Sequence, residues 1–596
     1  MPEISTSDAK LNEVGRNIQE KSTVIWNVAN SLFGAYKPHE YGLVILPMTV
    51  IKRFHDCLLG THEAVLQQYE KVKHLAIYDG FLRTASGYPF WNRSKFTFST
   101  LVADPENIEM NFRDYLEGFS DNVKDIIARM GFYDQINRMA ESGLLYQVIS
   151  DFNSEKADMS PEKVSTVDMG YIFENIVQRF SESYNEEAGA HFTSRDIVYL
   201  MCDLLVSGDK DAFTGNGIKK TVYDQTMGTS QMLTCMEERL TQLDKNADVE
   251  VFGQEFNPFT YAIAVSSALI HGDDASNMRF GDTLSDDQFK GYTFDYAISN
   301  PPFGIDWKRE ASAVEEEYKK GEAGRFGAGL PPKSDGQMLF LQNSLSKLKS
   351  TGRMAIIQNG SSLFTGDADS GPSEIRRYIL ENDWLEAIIQ LSDSAFYNTS
   401  ITTYIWVLSK SKPEDRIGKV QLIDASLCRE ERRKSIGNKR YDITEACRDM
   451  IVRVYGDFVD GTFTETTETG SEIIVKSKVM DTVDFGYNKV TVESPLLNGD
   501  GTVILKKGKP VADTSKRDTE NIPLSEDIDE YFEREVLPYN PNAWIDKKKT
   551  KVGYEIPFSR TFYEYKQVEP SEVIAKRIEE HEKSLMAKLH DLFGEG

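Results

Sequence analysis

From about residue 166 onward the chain alternates short β-branched strands with helices, and that alternation limits what it can fold into more than any other feature. The strand "KTVYDQT" runs into a loop and the helix "SQMLTCMEERLTQL"; "VEVFGQEF" is followed by "PFTYAIAVSSALIHG", and "FDYAISN" by "GQMLFLQNSLSKLKS". "RMAIIQN", "LEAIIQL" and "TTYIWVLSK" complete the series. Strand, helix, strand, helix predicts an α/β protein with a doubly wound, mainly parallel sheet. Such sheets bind ligands at the carboxyl ends of their strands. "SNPPF" (299–303) stands at one of those ends. Its prolines cannot serve a central ladder, so the strand must stop there, with Asn300 at its edge.

A chain of 596 residues exceeds one ordinary core and predicts two to four domains. Residues 1–165 read as helical, 166–410 as the α/β domain and 411–567 as a mixed, irregular region. Residues 568–596 read as a terminal helix with Ile574, Ile578, Leu585, Leu589 and Leu592 on one face, a natural docking element. No apolar run reaches the roughly 20 residues of a membrane span, and the first residues lack the apolar core of a secretion signal. The expected location is the cytoplasm. Five scattered cysteines, with no CxxC pair and no histidine at ligand spacing, predict neither a disulfide framework nor a metal site.

The formal charge of −26 argues against this chain alone wrapping a phosphate backbone. Short basic runs occur at 432–440, 506–509 and 546–551, and each taken singly reads as a solvated loop. If the substrate is a nucleic acid, a more basic partner supplies much of the grip.

The loop "VYDQTMGTSQML" places Gly228 between strand and helix, where a ligand can approach the backbone, with Asp224 to hold its polar end. Glu255 ends the next strand, where an acidic residue grips a ribose diol. Asp282, in "FGDTL", can accept from an exocyclic amine. Together they predict a nucleoside pocket without a pyrophosphate cradle. In "SNPPF" the Asn300 side-chain carbonyl and the Pro301 backbone carbonyl can both accept from one exocyclic NH₂ group, and Phe303 offers a stacking face for a base pulled from its helix. No cysteine sits in a Pro-Cys turn, which disfavours thiolate chemistry on cytosine C5.

"NPPF" preceded in order by Asp224, Glu255 and Asp282 resembles the adenine-N6 DNA methyltransferases that use S-adenosylmethionine. More narrowly, "EEAGAHFTSRDIVYLMCDLL", "RFGAGLPPKSDGQMLFLQNSLSKLKSTGRMAIIQNGSSLFTG", "VGYEIPFSRTFYEY" and the final helix resemble the modification subunit of type I restriction–modification systems. The resemblance implies a Rossmann-like methyltransferase sheet with a helical N-terminal domain and a helical tail. It implies S-adenosylmethionine held by His191, Phe192, Thr193, Asp224, Thr226, Gly228, Ser230, Glu255 and Asp282. The target amine would be held by Asn300, Pro301, Pro302 and Phe303. The implied partners are duplex DNA, one specificity subunit shared with a second copy of this chain, and a restriction subunit. The N-terminal helices would close a clamp on the duplex, and the last helix would dock on the specificity subunit.

Two departures bear on cofactor affinity. The family loop "DPxxGxGG" is here "DQTMGTSQ", with Gln225, Ser230 and Gln231 in place of Pro, Gly and Gly, and the family "FTP" is "FTS" with Ser194. Other readings stay open at this level: a self-sufficient adenine-N6 or cytosine-N4 methyltransferase, and a non-catalytic scaffold that keeps the fold.

Overall fold

The computed structural model describes residues 23–25, 27–164, 168, 169, 172, 173, 176, 193–209, 217–397, 399–436, 438–499, 501–564 and 569–593. Residues 1–556 form one compact unit and 557–596 a second.

The strands of the alternating region form where the sequence places them: β1 (Lys219–Asp224), β2 (Asp248–Glu255), β4 (Phe294–Ser299), β5 (Leu348–Asn359), β6 (Leu385–Gln390) and β7 (Thr403–Ser409). A three-residue β3 (Met278–Phe280) precedes the Asp282 loop and was not expected. With β8 (Lys419–Leu427), β11 (Gly461–Thr466) and β12 (Glu472–Asp481) they make one ten-stranded sheet, in the order β11-β12-β8-β6-β7-β5-β4-β1-β2-β3. β1 to β5 run parallel, while β7 lies antiparallel between β5 and β6. The sheet thus continues well past residue 410, into the stretch expected to be irregular. β9 (Glu430–Ile436) and β10 (Lys439–Asp442) form a hairpin off this sheet. β13 (Gly486–Glu493) pairs with Asp518–Pro523, Trp544–Ile545 and Lys551–Tyr554 in a small sheet of its own.

Residues 38–157 are helical, as expected, with Gly42–Leu58 buried along almost its whole length. Pro47 is tolerated inside this helix within its first two turns. Its Phe54 packs with Phe90 and Phe119, and these belong, with Phe98, Phe112 and Tyr115, to the same apolar core as the large sheet. In the second unit Ser571–Phe593 is one helix of 23 residues. Ile578, Leu585 and Met586 are exposed on it, while the side chains of Leu589 and Leu592 lie outside the described residues. No helix among the described residues is long and apolar enough to cross a membrane.

A buried ion cluster joins the sheet to the helices that cover it. Glu386 on β6, 1% exposed, lies 2.8 Å from Arg353 on β5 and 3.8 Å from Arg416. Arg353 also donates to Tyr455 Oη on helix Glu445–Asp457 (2.7 Å) and to the Leu205 carbonyl on helix Arg195–Ser207 (3.1 Å). Burial opposes the Glu386 charge, but the two guanidiniums hold its carboxyl below the usual range. Removing one member of such a cluster strands the others in a dry interior. Glu386→Ala should therefore destabilise the fold by about 3–5 kcal/mol in urea unfolding, well beyond a surface Glu→Ala control.

Candidate active site

A cavity of about 700 Å³ opens at the carboxyl ends of β1, β2 and β4. Thr193, Asp224, Thr226, Gly228, Glu255, Asp282, Asn300 and Pro302, all selected from the sequence, line it. All but Thr193 reach the wall because their segments leave parallel strands at the same edge; Thr193 reaches it from the start of helix Arg195–Ser207. Pro301, Phe303 and Ser230 do not line it. The expected stacking face, Phe303, packs instead against the main apolar core; Gly304, at φ +65°, turns the chain immediately after it. Ser230 is buried at the start of helix Gln231–Leu243. His191 and Phe192 lie outside the described residues.

The β1 loop is held by the carboxylates it presents. Asp224 accepts from the Thr226 amide at 3.0 Å. Glu255 accepts from the Gly228 amide at 2.9 Å and from the Asn257 amide at 2.8 Å, so β2's end supports β1's loop. Gly228 takes φ +53°, where a side chain is disfavoured. Asp282 Oδ1 accepts from the amides of Leu284 (2.9 Å) and Ser285 (2.7 Å) and thereby closes its own turn. Burial, with the charge of Glu255 adding to it, pushes the Asp224 carboxyl up to about 8. Burial likewise raises that of Glu255.

At the end of β4, the Asn300 Nδ2 donates to Thr193 Oγ1 at 2.7 Å. That bond fixes the amide's orientation and leaves its Oδ1 buried with no partner. A buried amide oxygen without a donor is costly, and such orphans mark places where a ligand completes the bonding.

Gln225, where the family loop carries Pro, closes a ring of buried hydrogen bonds behind this wall. Its Nε2 donates to the Phe340 carbonyl (2.9 Å) and to Ser299 Oγ (3.2 Å), and its Oε1 accepts from Asn343 Nδ2 (2.7 Å). Asn343 Oδ1 accepts from Arg325 (3.0 Å), which also donates to the Thr283 carbonyl (2.7 Å). Thr283 Oγ1 in turn donates to the Gln225 carbonyl. The ring fastens the Asp224 loop, the Asp282 loop and the end of β4 to helix Gln337–Ser346.

Phe256, Arg309 and Phe340 also line the cavity and were not singled out from the sequence. Phe256 directly follows Glu255 and is 59% exposed, a signal that an aromatic beside a ribose-gripping acid could have given. Away from the cavity, Glu237, His271 and Asp273 bring their ligand atoms within 4.8 Å of one another, a grouping that their spacing in sequence does not show.

The strand order β3-β2-β1-β4-β5-β7-β6, with β7 reversed, and a carboxylate-lined cavity at the ends of β1 and β2 define an α/β enzyme of the nucleoside-cofactor methyltransferase class. Residues 165–487 match the family model of N-6 DNA methylases, and residues 22–152 match that of the HsdM N-terminal domain. The chain therefore belongs to the N-6 DNA methylase family, as a methylase subunit of the type I restriction–modification kind.

It is 27% identical over 322 residues to the type I restriction enzyme HindI methylase subunit of Haemophilus influenzae, a match covering 52% of this chain and 66% of that relative. To the MjaIX methylase subunit of Methanocaldococcus jannaschii it is 23% identical, across 73% of this chain and 77% of the relative. The crystal structure of a type I restriction–modification methyltransferase subunit from Streptococcus thermophilus superimposes with a TM-score of 0.60 at 22% identity. It covers 78% of this chain and 97% of its own, and shares the fold.

The hydrogen-bond ring makes a coupled pair of Gln225 and Asn343. Gln225→Leu and Asn343→Leu should each cost about 1–3 kcal/mol by orphaning the other, and the double variant should cost clearly less than their sum in urea unfolding.

Proposed function

We propose that this cavity binds S-adenosylmethionine beside an adenine flipped out of duplex DNA, and that Asn300 holds the adenine N6 amine for methylation. The observation that carries the proposal is the buried, unpartnered Asn300 Oδ1, fixed in orientation by Thr193.

The donor set fits this cofactor. Two buried carboxylates with raised pKa values favour a cationic ligand that donates hydrogen bonds and disfavour a pyrophosphate. Asp224 would hold the ligand's amino-acid end, Glu255 the ribose diol and Asp282 the adenine amine, with Phe256 offering an apolar face. When bound, the cofactor supplies a methyl carbon activated by its sulfonium sulfur, which takes the bonding electron pair.

The chain's own groups act on the nitrogen that attacks. Asn300 Oδ1 accepts one N6 hydrogen, and the carbonyl of Pro301, between the lining residues Asn300 and Pro302 though not itself in the wall, would take the other, with no amide hydrogen on Pro301 to compete. These bonds draw the nitrogen lone pair out of conjugation with the ring and aim it. Neither acceptor is basic enough to take a proton in advance. N6 therefore loses its proton to solvent after the C–N bond has formed, when the cationic nitrogen is strongly acidic. Catalysis of this kind rests on positioning and fixed dipoles.

The likeness to methylase subunits of type I restriction enzymes supports work within a complex in the cytoplasm, with a DNA-recognition subunit, a second copy of this chain and a restriction subunit. The formal charge of −26 favours a partner that supplies cations, and exposed Ile578, Leu585 and Met586 give the last helix an apolar surface for docking.

Asn300→Ala should lower methylation by at least about a hundredfold while leaving complex assembly and cofactor binding in place. Single-molecule sequencing of host DNA for N6-methyladenine reads this directly, and an unchanged methylome would overturn the assignment.

Asp224 contributes to the pH dependence, together with the buried Asp203 and the partly buried Glu237, both pushed up to about 7. The Asp224 carboxyl keeps its proton in the fold from the ordinary 3.8 up to about 8, whereas the unfolded chain releases it. The ligand-free protein should therefore lose stability as pH rises through that window. A cation-donating ligand needs the ionised form, so cofactor affinity should climb towards pH 8 and level off above it. Calorimetry in buffers of different ionisation enthalpy should show proton release on binding, which Asp224→Asn reduces to the share of Glu255.

A further inference from the structure

The basic stretch at 432–440 folds as the β9–β10 hairpin, and the contacts that anchor it place it at the edge of the sheet where the cavity opens. Lys439, 1% exposed, lies 2.8 Å from Asp196 and donates to the Ala395 carbonyl at 3.1 Å. The Ile443 amide donates to the same Asp196 oxygen at 2.8 Å. Backbone bonds from Asn438 to the Tyr397 carbonyl (2.8 Å) and from Arg440 to the Ser394 carbonyl (2.9 Å) tie the hairpin to the loop leaving β6. Asp196 lies three residues after Thr193, the partner of Asn300, so one short segment carries both the hairpin's buried anchor and the amine holder's support.

The cations of this hairpin divide into two sets. Arg429 pairs with Asp393 and stacks over Tyr441, and Arg432 pairs with Asp442, so these charges are spent internally. Arg433 and Arg440 are exposed, and neither has a carboxylate partner among the described residues. Residues 429–442 hold six Lys and Arg against three Asp and Glu, a net +3 in a chain of net −26. These two exposed guanidiniums, at the edge of the sheet where the cavity opens, are free to take an anion from outside. The planar guanidinium fork suits phosphate oxygens.

We infer that the β9–β10 hairpin contacts the DNA backbone next to the flipped adenine, with Arg433 and Arg440 on its phosphates. The inference rests on the functional reading above. Holding the phosphates beside the extruded nucleotide would fix the strand while its base occupies the cavity, a role that needs charge and no base readout.

The test is equilibrium binding of the chain, assembled with its co-expressed recognition subunit, to a fluorescent random-sequence duplex across a salt series without cofactor. Arg433→Ala/Arg440→Ala should weaken binding and flatten the slope of log K against log salt by about 0.9 per lost phosphate contact, about 1.8 in all. Arg433→Lys/Arg440→Lys should keep the wild-type slope, and cofactor affinity should be unchanged in both variants. An unchanged slope in the alanine variant overturns the inference. So does loss of the recognition subunit from the complex, which would show that the hairpin faces protein. Because binding is read without methyl transfer, a wild-type complex that binds the duplex but leaves adenine unmethylated would overturn the functional reading alone.

Discussion

The hydrogen bond between Asn300 and Thr193 joins two parts of the chain that fold for different reasons. Asn300 is set by the end of β4, a buried parallel strand whose ladder stops at Pro301. Thr193 is set by the start of helix Arg195–Ser207, which packs across the sheet and accepts from Arg353 through its Leu205 carbonyl. A bond of 2.7 Å between them exists only if the helix docks at the right height on the strand. Its effect is to use the donor half of the amide and leave the acceptor half empty. The Glu386 cluster stabilises that docking from the far side, by linking β5, β6 and helix Glu445–Asp457 to the same helix. Packing energy spent far from the cavity therefore appears at the cavity as a fixed, unsatisfied acceptor.

Charge is distributed to the same end. The wall of the cavity gathers carboxylates in a buried place, where burial raises the cost of ionising Asp224 and Glu255 and the charge of Glu255 adds to that of Asp224. The protein tolerates this because backbone amides of Thr226, Gly228 and Asn257 carry part of the load. In the proposed reading, a cationic ligand would remove the remainder. Outside the cavity, the formal charge of −26 disfavours sequence-independent binding of a polyanion by this chain alone.

Much of this was legible in the sequence, for identifiable reasons. β1, β2, β4, β5, β6 and β7 stand out as apolar, β-branched runs among regularly spaced helices, so their existence and order along the chain could be read, whereas the three-residue β3 could not. Strand direction could not, because alternation of side chains is the same in a parallel and an antiparallel strand; the reversed β7 is invisible at that level. β11 and β12 were read as irregular because β11 is almost wholly exposed and β12 buries only one face. The polar residues of the cavity were legible because Asp224, Glu255 and Asn300 each sit at or next to the end of a strand. Phe303 was misplaced because its direction depends on the turn at Gly304, and residue type alone does not give that. Arg309 and Phe340 reach the cavity from segments whose own patterns point only to a loop and a buried helix.

The altered glycine loop shows how a departure from a family pattern can be absorbed. Ser230 adopts φ +71°, the left-handed conformation that a glycine takes freely, at a cost of about 1–2 kcal/mol. Its amide closes the turn onto the Met227 carbonyl at 2.7 Å, which recovers part of that cost. Gln225 replaces the rigidity a proline would give with side-chain bonds to Ser299, Phe340 and Asn343. With both substitutions in place, Asp224, Thr226 and Gly228 line the cavity. The changes therefore act on the cost of holding the loop in shape. The loop still presents Asp224, Thr226 and Gly228, now with the side chains of Gln225 and Gln231 beside them, and its rigidity depends on a polar ring that extends to helix Gln337–Ser346.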